Sequence, residues 1–355
     1  MIKKNENKYF AKALLKWYKE NKRDLPWRRT KDPYKIWVSE IILQQTRIDQ
    51  GINYYLNFIE KFPNIESLAK ARDEDVLKIW EGLGYYNRAM NMLHSARQVV
   101  KGNKKIPNTY NELIKLKGIG EYTAAAISSI CFEEKKAVVD GNVYRVLSRV
   151  FNIKTPINTS IGKKKYSDIA NKLISNKNFG DYNQAIMDFG SIQCTKHEPK
   201  CTNCIFINSC LGFKFNTIDK RPLKNKIILA KKKRILNYFM INSHSKYIFI
   251  QKRKKGIWKN LFEFPLYESK QIINEKIIKE KMILNNIFNQ SDITGISLSK
   301  KTTHILSHQN LKIFFWEILA KKIKNTNDIL KINKTEITKY PFPKPIKIYL
   351  NEILS

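Results

Sequence analysis

Apolar positions recur every three to four residues from about residue 6 to residue 210, the repeat of helices that bury one face. Pro and Gly cut this run into short segments at Leu25-Pro26, Asp32-Pro33, Phe62-Pro63, Gly82-Leu83-Gly84, Ile106-Pro107, Gly118-Ile119-Gly120 and Asp140-Gly141, since neither residue continues a helix well. An all-α region is predicted. Residues 213–234 hold few long apolar stretches and end in Lys231-Lys232-Lys233-Arg234, so they read as a linker. Beyond them, runs of β-branched and aromatic residues predict strands at Ile235–Ile241, Tyr247–Gln251, Leu261–Phe264, Thr303–Leu306 and Ile313–Leu319. One helix is expected over about Gln271 to Phe288. The expected fold class is α+β and multidomain: a helical domain over 1–212, a linker over 213–234 and an α+β domain over 235–355. A length of 355 residues is consistent with two domains.

Charge narrows the choice of partner. The 66 Lys and Arg outnumber the 31 Asp and Glu, for a formal net charge of +35, which attracts polyanions and nucleic acid first among them. Lys, Ile and Asn are abundant along the whole chain, as biased genome composition would also make them, so charge alone assigns nothing. No apolar run approaches the length of a membrane span, and the charged start has no apolar stretch behind it as a secretory signal would. A soluble, cytoplasmic monomer is expected.

Four of the five cysteines, Cys194, Cys201, Cys204 and Cys210, fall within seventeen residues as C-x6-C-x2-C-x5-C. In a cytosolic chain such clusters bind metal more often than they form disulfides, and soft thiolates suit either an iron–sulfur cluster or zinc. Cys131 stands apart, in an apolar helical pattern, and reads as a small buried residue. The stretch Leu116-Lys117-Gly118-Ile119-Gly120-Glu121-Tyr122-Thr123 joins two helical segments through two glycines. It is either a plain tight turn or a hairpin whose following helix offers its N–H groups to a phosphate. Asp140 opens a helical segment and is, by composition, either a helix cap or a functional carboxylate. Glu40 shares a helix face with Ile36, Trp37, Ile41 and Gln44. A carboxyl on so apolar a face is held toward its protonated form, which a general acid near neutral pH requires; a solvated glutamate is the plainer alternative.

Taken together, these strings resemble one family. Leu25-Pro26-Trp27-Arg28, Trp37-Val38-Ser39-Glu40-Ile41-Ile42-Leu43-Gln44-Gln45-Thr46, Gly82-Leu83-Gly84-Tyr85-Tyr86-Asn87-Arg88-Ala89, the glycine hairpin, Val138-Val139-Asp140-Gly141-Asn142-Val143 and the cysteine loop are similar to the endonuclease III, or helix-hairpin-helix, superfamily of DNA glycosylases. Within it they resemble the adenine glycosylases of MutY type. The resemblance covers nearly the whole chain. It implies a [4Fe–4S] cluster on the four cysteines, double-stranded DNA as partner, a nucleoid-associated cytoplasmic location, and excision of adenine mispaired with 8-oxoguanine or guanine. Glu40 would protonate the flipped adenine and Asp140 would stabilise the sugar cation. Tyr122 and Asn142 would support the sugar and the attacking water. Arg28 and Asp188 would line the adenine pocket, Gln45 and Tyr85 would wedge the base stack, and Gly118 and Gly120 would present backbone N–H groups to phosphate. The segment Gly256-Ile257-Trp258-Lys259-Asn260-Leu261-Phe262-Glu263-Phe264-Pro265 resembles a Nudix-like domain, in which Ser307 and His308 would touch the 8-oxoguanine. That domain has no acidic metal-binding box after residue 265, so nucleotide hydrolysis is not expected of it.

Three departures stand out against the family pattern: Lys117 for proline in the hairpin, Asp188 for glutamate, and Leu306 for phenylalanine before Ser307. The lyase branch of the superfamily has lysine where this chain has Tyr122. A phenol cannot form a Schiff base, so a monofunctional glycosylase is expected. A bifunctional glycosylase/lyase and a non-catalytic iron–sulfur DNA-binding protein are the rival readings.

Overall fold

The computed structural model describes residues 4–354 apart from 103, 227–230, 243–244, 285–286, 288 and 325–327. The chain divides into two compact units: residues 1–70 with 91–227, and residues 71–90 with 228–355.

The helices up to residue 214 are α1 (Lys4–Asn21), α2 (Pro33–Ile42), α3 (Ile48–Lys61), α4 (Ile65–Lys70), α5 (Asp73–Ile79), α6 (Asn87–Lys101), α7 (Tyr110–Leu113), α8 (Glu121–Phe132), α9 (Gly141–Val150), α10 (Ser160–Leu173), α11 (Phe179–Ile192) and α12 (Leu211–Lys214). In the helical unit α2 and α8 are the central pair. Every residue of α2 from Ile36 to Ile42 is buried, as is every residue of α8 from Thr123 to Ile130, and a helix apolar on all sides belongs inside. The start of α2 is set by Asp32, whose side chain accepts the Tyr34 N–H, with Pro33 in the first turn. Close packing depends on small residues. At Gly180 of α11 a Cβ would lie 2.8 Å from the Ile130 backbone of α8, and at Gly190 it would lie 2.7 Å from Asn142 of α9.

The other unit holds β1 (Lys232–Ile241), β2 (Tyr247–Lys252), β3 (Phe262–Glu263), β4 (Leu266–Ser269), α13 (Glu275–Leu284), β5 (Ile293–Ile305), β6 (Gln309–Ala320), β7 (Ile329–Asn333) and α14 (Lys344–Leu354). A four-stranded sheet runs β4-β1-β6-β5 and a three-stranded one β3-β2-β7. The pair β1 and β6 is parallel, Lys232 to Gln309 through Ile241 to Ile318, and the other pairings are antiparallel. Both faces of the larger sheet are covered. Leu236, Tyr238, Ile313 and Phe315 join one core with Ile346 and Tyr349 of α14, while Phe239, Ile241, Phe314 and Trp316 join another with Ile278 of α13. Strands buried on both faces read as unbroken apolar runs, which is why β1 and β6 were visible in the sequence.

Several boundaries differ from expectation. The strand expected at Thr303–Leu306 is the end of β5, thirteen residues long and partly exposed along most of its length; its polar, Lys- and Thr-rich stretch obscures the alternation of an edge strand. Strands β4 and β7 and helix α14 were not expected. The expected linker begins inside α12, and its middle is tied to the helical unit: the Ile157 N–H donates to the Leu223 carbonyl at 3.0 Å, and Asn158 and Asn225 exchange two hydrogen bonds of 2.9 Å. Part of that linker, residues 227–230, lies outside the described residues. Residues 71–90 group with the C-terminal unit, so the division is not a single cut along the chain.

Candidate active site

Glu40 sits in the last turn of α2, 7 % exposed. Burial pushes its carboxyl up to about 7 from the ordinary 4.5; a hydrogen bond from Tyr122 and the charge of Arg28 pull against this, and Asp140 adds to it. Tyr122, at the start of α8, places its hydroxyl 3.3 Å from the Met187 sulfur of α11 as well as beside Glu40. Burial raises the Tyr122 phenol well above its usual value, so it is a donor and not a phenolate.

Asp140 caps α9 and faces the same space. One of its oxygens accepts the Val143 N–H and the other the Asn142 side-chain amide, each at 2.8 Å. Burial raises this carboxyl above its ordinary value, and the hydrogen bonds from Val143 and Asn142 offset part of that rise. The cap reading is the one observed, and its geometry fixes where the carboxylate points. Asn142 is held in turn by Arg145, whose guanidinium donates to the Asn142 side-chain oxygen at 2.7 Å and to the Cys194 carbonyl at 2.8 Å. The carboxyl pair is thus connected to the cysteine loop through two side chains.

Arg28 and Asp188 meet, together with Arg23. Asp188 is fully buried. Its oxygens accept the Arg23 Nε at 2.9 Å and the Arg28 Nη2 at 2.8 Å, with further bonds from Arg23 Nη2 and Arg28 Nη1. Burial would raise this carboxyl, but the two guanidiniums hold it below its ordinary value. With the Arg23 backbone N–H also donating to it, a carboxylate of about four lone-pair sites is fully engaged. Asp188 is therefore engaged by its two arginines and keeps no lone pair for a base. The Arg28 guanidinium lies over the Tyr18 ring at 5.7 Å and lowers the Glu40 carboxyl.

Gln45 and Tyr85 are exposed, and both have left-handed backbone, φ 61° and 48°. Such conformations are costly for residues with a Cβ and concentrate at functional sites. In the glycine hairpin the two glycines play different parts. Gly118 has φ +86° and a Cβ there would lie 2.7 Å from the Asn91 side chain, so the turn itself requires glycine. Gly120 has an ordinary φ of −92° with nothing within 4 Å of a Cβ, and it starts α8 without a side-chain cap. The first N–H groups of α8 thus receive no bond from a cap side chain, as at any uncapped helix start.

The four cysteines line one cavity with Val150, Phe189, Ile207, Phe213 and Ile218. Burial pushes the Cys204 thiol up to about 11 and raises Cys201 and Cys210. Arg149, 2 % exposed, pins this loop to α9 by donating to the carbonyls of Thr195 at 2.6 Å and Lys196 at 3.1 Å. Among the described residues no three Cys, His, Asp or Glu side chains close in on a point as one ion would require; the cysteines are arranged around the cavity. A separate cavity of about 1140 Å³ between α1 and the residues around 172–178 reaches neither Glu40 nor Asp140. In the other unit, Ser307 and His308 are exposed at the β5–β6 turn, Oγ to Nδ1 3.2 Å. Leu306 packs against the core and Ile305 beside it is 69 % exposed. Arg23, Arg145, Arg149 and Met187 were not among the expected site residues; Arg145 alone carried a signal, lying two residues beyond the Asp140 string.

Comparison with known proteins agrees with this geometry. Residues 38–173 match the family model of the HhH-GPD superfamily base excision DNA repair proteins, and residues 237–352 match that of the NUDIX domain. The adenine DNA glycosylase of Buchnera aphidicola from Schizaphis graminum is 36 % identical over 332 residues, 90 % of this chain and 94 % of that one. The adenine DNA glycosylase of Homo sapiens is 40 % identical over 211 residues, 57 % of this chain and 39 % of that one. Among solved structures, a thermostable thymine-DNA glycosylase superposes with a TM-score of 0.55 at 30 % identity, over 59 % of this chain and 98 % of that one. An endonuclease III in a DNA complex shares the fold of the helical part, TM-score 0.52 at 20 % identity over 61 % of this chain and 99 % of that one. The chain belongs to the adenine DNA glycosylases, base excision repair enzymes of the HhH-GPD superfamily.

Proposed function

We propose that this glycosylase removes adenine paired with 8-oxoguanine or guanine in double-stranded DNA, hydrolysing the N-glycosidic bond without cutting the strand. The observation that carries the reading is a buried carboxyl, Glu40, beside a half-buried one, Asp140, in unlike environments. Glu40 keeps its proton to about pH 7, while both oxygens of Asp140 accept N–H bonds that favour the ionised form.

With an adenine turned out of the stack toward this pair, Glu40 donates its proton to a ring nitrogen, most simply N7, so that the base leaves neutral. Positive charge grows on the sugar as the C1′–N9 bond breaks, and the Asp140 carboxylate stabilises it. Water adds to C1′ and its proton returns to the ionised Glu40. The Tyr122 hydroxyl and the Asn142 amide, each bonded to one of the two carboxyls, orient them. Schiff-base cleavage of the strand needs an amine. The cations acting on the two carboxyls are Arg28 and Arg145, and Tyr122 stands where lyase relatives carry lysine.

Cys194, Cys201, Cys204 and Cys210 fit a [4Fe–4S] cluster: four thiols around one apolar cavity, with their loop already pinned by Arg149. Bound there, the cluster would cross-link the loop and keep its thiols ionised. Lys196 and Lys200 in that loop add positive charge for phosphate. Ser307 and His308 are exposed donors and acceptors suited to the altered edge of 8-oxoguanine. Single-turnover adenine release from duplexes bearing A opposite 8-oxoguanine, guanine or thymine, with iron measured per chain, tests the reading. Release from the first two only, with about four irons per chain, is expected; equal release opposite thymine, or one zinc per chain, overturns the corresponding part.

A further inference from the structure

Residues 71–90 leave the helical unit and group with the C-terminal one, and several polar contacts between the two segments meet at Glu81. Its side chain is 7 % exposed. One oxygen accepts the Phe342 backbone N–H at 3.0 Å; the other faces Lys347 at 2.5 Å and Lys78 at 3.2 Å. Lys78 also donates to the Tyr340 carbonyl at 3.1 Å, and Lys252 pairs with Glu74 at 2.6 Å. The receiving segment is stiff. Phe342 is buried between Pro341 and Pro343, and the Pro341 carbonyl accepts the Phe262 N–H beside β3. A buried N–H in that segment must find an acceptor, and Glu81 supplies it.

From Glu81 the connection continues to Tyr85. Trp80 is fully buried, and its indole N–H donates to the Gly84 carbonyl at 3.1 Å. The Arg88 guanidinium lies 5.5 Å from both the Trp80 and Tyr85 rings. Tyr85 is thereby presented, 51 % exposed and left-handed in φ, by the unit that carries Ser307 and His308.

We infer that Glu81 is a positioning residue for lesion recognition. It fastens the Tyr85 loop to the C-terminal domain, so that the residue that wedges the stack and the hairpin that reads the opposite base engage DNA as one body. The inference rests on the reading of Tyr85 and the Ser307-His308 hairpin given above. Reading of 8-oxoguanine at the hairpin then sets the depth of Tyr85, and loosening Glu81 uncouples the two.

The test uses the full-length protein as wild type, Glu81→Ala, Glu81→Gln, His308→Ala and the Glu81→Ala/His308→Ala pair. The readouts are the ratio of single-turnover rates on A:8-oxoguanine and A:guanine duplexes and amide hydrogen exchange of the free protein. Glu81→Ala should lower the ratio by about tenfold, and the double variant should fall no further than His308→Ala. Glu81→Gln, which keeps the acceptor for Phe342, should recover part of the loss. Exchange at residues 82–86 and at Phe342 should quicken in Glu81→Ala, with residues 121–150 unchanged. An unaltered ratio, additive losses, or equal loss on both duplexes with exchange quickened throughout overturns the inference. A wild type without preference for 8-oxoguanine refutes the hairpin reading instead, and exchange still decides whether Glu81 fastens the loop.

Discussion

The protonation of Glu40 is the most exposed joint of the mechanism. Its carboxyl is moved from 4.5 to about 7 by burial. At pH 7 an ordinary glutamate would be protonated in roughly one molecule in 300, whereas Glu40 is protonated in about half, a gain of some two orders of magnitude in competent enzyme. The rate of a step that needs this proton should be level at low pH and fall tenfold per pH unit above the midpoint. DNA phosphates near the site disfavour a second negative charge, so the midpoint in the complex should lie at or above 7. The assay is single-turnover excision from an A:8-oxoguanine duplex between pH 5.5 and 9.5, with protein in excess. Glu40→Gln should lose about 10²–10⁴-fold at every pH and show no limb. Stability carries the same signature. A carboxyl whose folded pKa is raised contributes fully below its unfolded value and loses that contribution as pH rises through the folded one, here from 4.5 to about 7. The loss amounts to roughly 3 kcal/mol at 1.36 kcal/mol per unit, so Glu40→Gln should gain stability on wild type across that window. A rate that is flat from pH 6 to 9, or a limb centred near pH 5, would refute the assignment of Glu40 as the acid.

Other expectations follow from particular contacts. Asp188→Ala leaves Arg23 and Arg28 without their shared carboxylate and should cost about 3–5 kcal/mol in denaturant unfolding, unlike an exposed carboxylate. Gly118→Ala should destabilise the fold by about 1–2 kcal/mol, because a Cβ there meets Asn91 and the backbone is left-handed. Gly120→Ala should leave melting unchanged, with open space at the Cβ, yet weaken duplex binding in a salt-titrated binding assay by crowding the approach to the α8 N–H groups. Arg145→Met frees the Asn142 side-chain oxygen and leaves the Cys194 carbonyl with Arg149 alone, so single-turnover excision should slow at least tenfold and the loop should exchange faster with deuterium.

Much of this site could be read before any coordinates. The apolar neighbours of Glu40 pointed to a raised pKa, which burial produces, and the family resemblance chose that reading over a solvated glutamate. Asp140 was legible as a helix start, and Asn142 only through the resemblance. Part of what stayed hidden has a common physical origin in bonds to backbone. Arg145 and Arg149 act on the carbonyls of residues 194–196, and Glu81 acts on the N–H of Phe342; a carbonyl or amide 46 to 261 positions away leaves no mark on side-chain pattern. Most of strand β5 escaped, all but its end near Thr303, because an edge strand with a solvated face need not alternate cleanly. Residues 71–90 carry the same helical period as their neighbours, so nothing in their spacing shows which unit they pack with. The saturation of Asp188 follows from Arg23 reaching it across 165 positions, again a pairing without local signal.

The central claim is that a protonated Glu40 and an ionised Asp140 release adenine by hydrolysis alone. Its most direct test measures free adenine and strand breaks in one reaction on an A:8-oxoguanine duplex, with and without hot alkali, for wild type and Glu40→Gln. Adenine released by wild type in proportion to breaks seen only after alkali, and neither from Glu40→Gln, is the predicted result. Breaks without alkali that borohydride converts to a covalent protein–DNA adduct, or undiminished adenine release by Glu40→Gln, would contradict it.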